Sequence, residues 1–346
     1  LLPVIDNQQE DAPVPQFPFP VGVLLFNRPE YAEKTLRGLA NQTLPVPGNR
    51  VVIVIDGYTG SKAQKSGQPD RTAEVEAIAR GVFPEAHISI APHNLGIAHA
   101  FDLLERNLRD CDPKSMWYGF FEEDYVPNRT YLATIAALAA QSAKFPRIAA
   151  VSATGEIFGE ATRGVDSVYP LSRLWAYLMR ASHLDERRHC IDEYLAAVAR
   201  NPYWQRDKPA IATALASIGV LPIGVSQDQV KLSLLNHFHR FGVSSGSSQG
   251  EYIGVIGEHM TEKSFARFGF TSSTVSFDSA KVSVGALEPE LHQEALIGFA
   301  SKVARAYVIP RYEAFSARAT ELQRPRINRS LRAFARGFRI LIGRND

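Results

Sequence analysis

Four short apolar runs alternate with helix-patterned stretches in the first third of the chain, and that alternation most limits how the chain can fold. Val21 to Phe26, Val51 to Ile55, His87 to Ile90 and Trp117 to Phe121 each have strand length. Between them, Glu30 to Ala40, Thr72 to Arg80 and Ile97 to Leu108 read as helices, and Tyr31, Leu36 and Leu39 can share one face of the first. Pro29 suits the first turn of that helix, where its missing N–H costs nothing. Strands joined through helices give a mostly parallel sheet covered on both faces, so the expected fold class is α/β. Ligands of such sheets bind beyond the carboxyl ends of the strands. The residues found there are Asn27-Arg28, Asp56-Gly57 and Glu122-Glu123-Asp124.

The last of these carries the chemistry. Three carboxylates at the end of a buried strand repel one another and resist desolvation, so they call for a counter-ion. A hard divalent cation, Mg²⁺ or Mn²⁺, that also holds phosphates would serve, because it takes one or two protein carboxylates and completes its shell with water and phosphate oxygens. The other reading is a solvated acidic turn. For Asn27 the other reading is a helix cap, for Asp56-Gly57 an ordinary turn, and for His99 a surface or satisfied core histidine.

The succession Phe26-Asn27-Arg28-Pro29-Glu30-Tyr31, Ile55-Asp56-Gly57, Asn94-Leu95-Gly96-Ile97-Ala98-His99-Ala100 and Phe121-Glu122-Glu123-Asp124 resembles the GT-A glycosyltransferases. Among them it is similar to family-2-like bacterial enzymes and to inverting N-acetylglucosaminyltransferases with a Glu-Asp-Asp metal motif. The likeness covers residues 20–130 well and 150–260 loosely. It implies a GT-A (Rossmann-like) sheet and transfer of a sugar from a nucleotide-diphosphate donor, a UDP-sugar by preference, to a glycan or lipid-linked acceptor, as in bacterial surface polysaccharide synthesis. It further implies that Asn27 and Arg28 lie by the nucleoside, that Asp56 binds the base or ribose, and that Asn94 to Ala100, with His99, lines the base and diphosphate. Glu123, beside Glu122, would contact the ribose and Asp124 would hold the metal. His99 stands where many of these enzymes have Arg, and the middle carboxylate is Glu rather than Asp.

An inverting enzyme also needs a base for the acceptor hydroxyl. Ser226 can cap a helix through Val230 to Leu235, which puts Asp228 in its first turn, where such enzymes often place the base. Asp185 and Glu186 are held in reserve. In several GT-A enzymes a His near the end of the domain is a second metal ligand, and the resemblance gives that role to His259, which follows the strand-like run from Tyr252 to Ile256. His237 and His239 do not share a helical face and make no metal pair. The aromatic segment from Tyr169 to Leu178 could floor a sugar ring or be an ordinary buried element, and the Gly/Ser run from Ser244 to Gly250 suggests a lid over the donor.

Residues 1–19 read as an extended arm, 20–285 as the transferase domain (a nucleotide-sugar half, 20–130, and an acceptor half, 131–285), and 286–346 as terminal helices. The stretch 323–346 holds seven arginines and no lysine, with Leu331, Phe334, Phe338, Leu341 and Ile342 on one face. Such a helix can lie on an anionic membrane surface or dock on the domain. A net charge of +2 gives no ground for nucleic-acid binding, and two cysteines fit a reducing compartment. No apolar run reaches the ~18 residues of a spanning helix, so the expected location is cytoplasmic, at the inner face of a membrane if the tail binds there. Two rivals to sugar transfer remain. A sugar nucleotidyltransferase should carry a Gly-rich basic loop after the first strand, where this chain has Asn27-Arg28-Pro29-Glu30. A non-catalytic nucleotide- or glycan-binding module would keep the sheet without turnover.

Overall fold

The computed structural model describes residues 15–155, 168–171, 173–255 and 261–267. Their strands are β1 (Val21–Leu25), β2 (Val51–Ile55), β3 (His87–Ile90), β4 (Trp117–Glu122), β5 (Tyr125–Pro127), β6 (Ile148–Ser152), β7 (Val168–Pro170), β8 (Ala176–Arg180), β9 (Phe241–Ser245) and β10 (Gly250–Tyr252). The α-helices are α1 (Pro29–Ala40), α2 (Lys62–Lys65), α3 (Thr72–Val82), α4 (Gly96–Cys111), α5 (Tyr131–Ser142), α6 (Ala181–Glu186), α7 (Arg188–Val198), α8 (Lys208–Ser217), α9 (Gln227–His237) and α10 (Glu262–Arg267). The four strands and three helices expected in the first third fall where the apolar spacing places them, with α4 running on to Cys111.

Eight strands form one sheet in the order β3-β2-β1-β4-β8-β6-β9-β7, and β5 pairs with β10 apart from it. β1 pairs in parallel with β2 and β4, and β2 with β3, so the carboxyl ends of β1 to β4 share one edge of the sheet. β8 runs antiparallel to both β4 and β6, and β7 to β9, while β6 and β9 are parallel. The result is the expected mostly parallel sheet with helices on both faces.

The pleat sorts side chains between the two faces. Val21, Val23 and Leu25 of β1 and Val51, Ile53 and Ile55 of β2 join Leu36 and Leu39 of α1 and Val75 of α3 in one core layer. Leu24, Val52 and Val54 pack in the other layer with Leu104 and Leu108 of α4. Central strands buried on both faces must read as continuous apolar runs, which is why β1 and β2 show no polar alternation. A third apolar cluster joins α7, α8 and α9 through Tyr194, Leu195, Ile211, Leu215, Val230 and Leu234, and takes in Ala98 of α4. Among the described residues, no helix is long and apolar enough to cross a membrane.

Candidate functional site

The alternation continues past the apolar part of β4. Trp117 and Phe121 lie in the α1 layer, and Tyr118 and Phe120 in the α4 layer. Successive side chains on a strand point to opposite faces, so Glu123 must turn toward α1 and Glu122 away from it. Glu123 meets three groups on the α1 side. Its Oε1 accepts from Arg28 Nε at 2.5 Å, its Oε2 from the Phe26 N–H at 2.8 Å, and its carbonyl from the Thr35 hydroxyl at 2.6 Å. Arg28 Nη2 also reaches Asp124 Oδ2 at 3.4 Å. Glu122 instead senses Asp228 and Lys231 of α9.

Every carboxyl of this group is pushed up. Burial raises Glu122 well above its ordinary range, and the charges of Asp228 and Asp124 raise it further. Burial raises Glu123 and Asp124 as well, against the pull of Arg28. Asp228 is lifted to about 6 by burial, with Lys231 opposing and Asp124 adding to the rise. The guanidinium of Arg28 and the ammonium of Lys231 therefore supply part of the counter-charge that the sequence assigned to a metal. They do not supply all of it. Glu122 Oε1 and Asp124 Oδ1 are buried without any hydrogen-bond partner, an arrangement costly enough to call for a ligand. Two carboxylate oxygens of this kind suit a hard divalent cation that takes its remaining ligands from phosphate and water. No group of three or more His, Cys, Asp or Glu side chains able to hold a metal occurs among the described residues, and of those residues these two oxygens are the ones placed for such an ion.

Asp56, at the end of β2, is committed to the fold. Its Oδ1 accepts from the N–H groups of Gly57 (2.8 Å) and Leu95 (2.7 Å), and its Oδ2 from Asn94 Nδ2 (2.9 Å) and the Gly96 N–H (3.2 Å). Burial lifts its carboxyl to about 6 against the Leu95, Gly57 and Gly96 donors. Asp56 thus ties β2 to the start of α4, whose first N–H groups it satisfies. Asn94 also donates to the Gly57 carbonyl at 3.0 Å. Asn27 does not cap α1. It donates to the Pro69 carbonyl at 2.8 Å and accepts from the Arg71 N–H at 2.6 Å, fastening the far end of the β2–α3 loop. These residues shape the rim where the nucleoside was expected, through bonds to the protein itself.

Gly96 makes the turn into α4 with φ of +71°, and a Cβ there would lie 2.5 Å from Tyr203 Cβ. Both the conformation and the contact exclude a side chain. Tyr203 in turn accepts from the Gln227 N–H at 3.2 Å through its hydroxyl, so one strut runs from α4 to the first residue of α9. Gly96→Ala should cost about 2–4 kcal/mol from the left-handed φ and the clash together. An unchanged urea midpoint would refute this account of the strut.

α9 begins as the sequence indicated. Ser226 accepts from the Gln229 N–H, and Gln229 returns the bond in a capping box. Asp228 sits in that first turn, and Gln227 Nε2 donates to its Oδ1. One helical turn on, Lys231 is 6% exposed. Its Nζ donates to Tyr177 Oη at 2.9 Å and stands 3.7 Å from the centre of the Phe101 ring. Burial lowers its pKa to about 7, Arg187 adding to the fall and Asp228, Glu105 and Glu122 resisting it. Arg173, stacked over Trp175 at 4.8 Å, also has its pKa lowered by burial, to about 10, with Tyr252 and Asp228 resisting. Sequence reasoning missed Lys231, Arg173, Tyr203 and Gln227. The signal for Lys231 was its spacing of three and four from Leu234 and Leu235, which places it on a buried helical face.

Several expected parts lie elsewhere. Asp185 and Glu186 follow β8, whose end at Arg180 pairs with the start of β4 at Trp117, so they lie at the opposite edge of the sheet from the carboxylates. There Asp185 pairs with Arg109, and Glu186 with His183 and Arg240. The reserve candidates for the base are therefore structural ions. His99 is half-buried on α4, and burial lowers its pKa, with Asp102 and Arg106 as the acting charges. Trp175 is 9% exposed and stacks on Tyr252 at 4.2 Å, so this ring of the aromatic segment belongs to a buried element rather than to an open floor. The Ser244–Gly250 run is no lid. Ser244, Ser245, Ser248 and Gln249 are buried, and the run closes β9 and opens β10. His259 and the arginine-rich stretch 323–346 lie outside the described residues.

No family model matches the chain, and no curated protein matches it. Among solved structures, the mannosyltransferase PcManGT from Pyrobaculum calidifontis, in complex with GDP-Man and Mn²⁺, is 14% identical with a TM-score of 0.43, over 95% of this chain and 82% of that one. S. aureus TarS 1-349 in complex with UDP-GlcNAc is 13% identical with a TM-score of 0.43, over 89% of this chain and 74% of that one. The longer structure of S. aureus TarS is 11% identical with a TM-score of 0.44 over 89% of this chain, and the chain spans only 46% of its length.

Proposed function

We propose that this chain transfers a sugar, hexosyl or N-acetylhexosaminyl, from a nucleotide-diphosphate donor, a UDP-sugar by preference, to a hydroxyl of a glycan or lipid-linked acceptor, with inversion. The observation that carries this reading is the pair of orphaned buried oxygens, Glu122 Oε1 and Asp124 Oδ1, at the shared carboxyl edge of β1 to β4, in carboxyls close enough to Asp228 of α9 for their charges to act on one another. The two oxygens would hold a divalent cation, Mn²⁺ or Mg²⁺. When bound, that ion supplies neutralisation of the charge on the departing diphosphate.

The chain's own groups take the remaining roles. Asp228 accepts the proton of the acceptor hydroxyl while the new bond forms at the anomeric carbon. The bond from that carbon to the phosphate oxygen breaks, and its electron pair leaves with the nucleoside diphosphate. A carboxyl near 6 is ionised at neutral pH and still basic enough for this task. Glu123 holds Arg28 and the start of α1 in register, and Asn27, Asp56 and Asn94 frame the nucleoside rim.

The test is a thermal-shift series of nucleoside diphosphates and nucleotide sugars, with and without Mn²⁺. A ligand that binds only the native state raises Tm by mass action, on the order of 2.7 kcal/mol of added stability at a hundred times its Kd. One diphosphate should raise Tm, and more so with Mn²⁺. A protein that melts cooperatively and shifts with no nucleotide would sink the reading.

A further inference from the structure

Lys231 presents a problem that the proposed reaction does not by itself explain. Lysine is almost never fully buried, and fixing its long stem costs rotamer freedom. Yet Lys231 is 6% exposed in a helix whose neighbouring inward positions are Val230, Leu234 and Leu235. An apolar residue would fill this place at less cost.

The surroundings are built to hold a charge at one point. The ammonium faces the Phe101 ring at 3.7 Å, with the Tyr177 ring at 5.6 Å and the Phe120 ring at 5.7 Å. Ring faces attract a cation that has left water. The Tyr177 hydroxyl fixes its direction with a hydrogen bond of 2.9 Å. Tyr177 and Phe120 are cross-strand partners on β8 and β4, stacked at 5.2 Å, so the cage belongs to the rigid centre of the sheet. Glu122 is the next residue of β4 on the same face as Phe120. Asp228 precedes Lys231 by three residues and shares its helical face. The charged groups that act on the ammonium are Arg187 of the α6–α7 junction, Asp228 of α9, Glu105 of α4 and Glu122 of β4. Of these, Arg187 and Glu105 already pair with each other at 2.5 Å, which leaves the carboxylates of Glu122 and Asp228 for Lys231.

We propose that Lys231 is a positioning residue of the reacting site: its caged ammonium is the internal cation that sets the Asp228 carboxylate, against the repulsion of Glu122, for its attack on the acceptor proton. The inference rests on the sugar-transfer reading above. Gln227 holds Asp228 Oδ1 from one side, and Lys231 acts on the same carboxylate from within. A general base must be held to a narrow geometry to be effective. A caged cation provides this without touching either substrate.

The experiment uses the full chain, with Lys231→Met and Tyr177→Phe, in a transfer assay at saturating nucleotide sugar. Methionine keeps the unbranched stem and removes the charge. The expected result for Lys231→Met is a kcat lowered by about tenfold to a hundredfold, a donor KM within about twofold, and a nucleotide-induced thermal shift as large as that of the parent. Tyr177→Phe keeps the ring, loosens the hold on the ammonium, and should lower kcat in the same direction by less. A kcat within about twofold of the parent in Lys231→Met would overturn the inference while leaving sugar transfer intact. So would a fall in kcat accompanied by loss of the nucleotide-induced thermal shift, which is the mark of a structural residue. If the parent chain neither transfers sugar nor binds any nucleotide, the reading beneath the inference fails first, and the inference falls with it.

Discussion

Asp124→Ala should leave the protein folded and reduce sugar transfer by about three orders of magnitude or more, with the Mn²⁺-dependent part of the nucleotide thermal shift lost. The carboxylate is buried, one of its oxygens has no partner, and burial outweighs the pull of Arg28 on the other, while its charge also repels Glu122. Removing it leaves Arg28 bonded to Glu123 at 2.5 Å and the Phe26 N–H still satisfied. The Tm of the variant without ligands should therefore be no lower than that of the parent. Retention of full turnover, or of the metal-dependent shift, would place the ion elsewhere.

The second expectation concerns Asp228 and has two opposed halves. Asp228→Asn should lower kcat by about a hundredfold to ten-thousandfold, because a general base contributes on that scale. The same change should make the protein more stable at pH 7. The folded-state carboxyl stands at about 6 against an ordinary 3.8, so the folded chain binds this proton more tightly than the unfolded chain does. The stabilising effect of protonation is complete below about 3.8 and is lost as pH rises through about 6. Above that the buried charge costs stability, and asparagine removes the cost. A gain on the order of 1–3 kcal/mol at pH 7 follows, toward the lower end because Lys231 loses its partner. At pH 4 the difference should be small. Urea titrations of both proteins at the two pH values measure it, and a variant that is less stable at pH 7 would refute the electrostatic account.

Much of the first half was legible because strand length, helical spacing and polar strand ends are local properties. The runs read as Val21 to Phe26, Val51 to Ile55 and Trp117 to Phe121 could be placed by counting alone, to within a residue of β1, β2 and β4, and so could the capped start of α9 at Ser226. The direction of β8 could not. An antiparallel insertion between β4 and β6 is a matter of topology, and it is what carries Asp185 and Glu186 to the far edge of the sheet. Local reading also overrated the freedom of polar side chains. Asn27, Asp56 and Asn94 look like open ligands in the sequence, yet their hydrogen bonds hold loops and helix starts together. The Gly/Ser run suggested a lid, but Ser248 and Gln249 are buried by partners distant in the chain. Lys231 was missed for the reverse reason: a lysine in a helix is taken as solvated until its partners, from β4, β8 and α4, are brought around it.

The pleat at the end of β4 has a consequence for how such a protein can diverge. Adjacent acidic residues are handed to opposite sides of one sheet, Glu123 to α1 and Glu122 toward α9. Changes in α1 reach one member of the pair, and changes in α9 reach the other. Two adjustments otherwise locked together by a single peptide bond are thereby separable, and a lineage can retune the groups packed on the α9 side while those on the α1 side stay as they were.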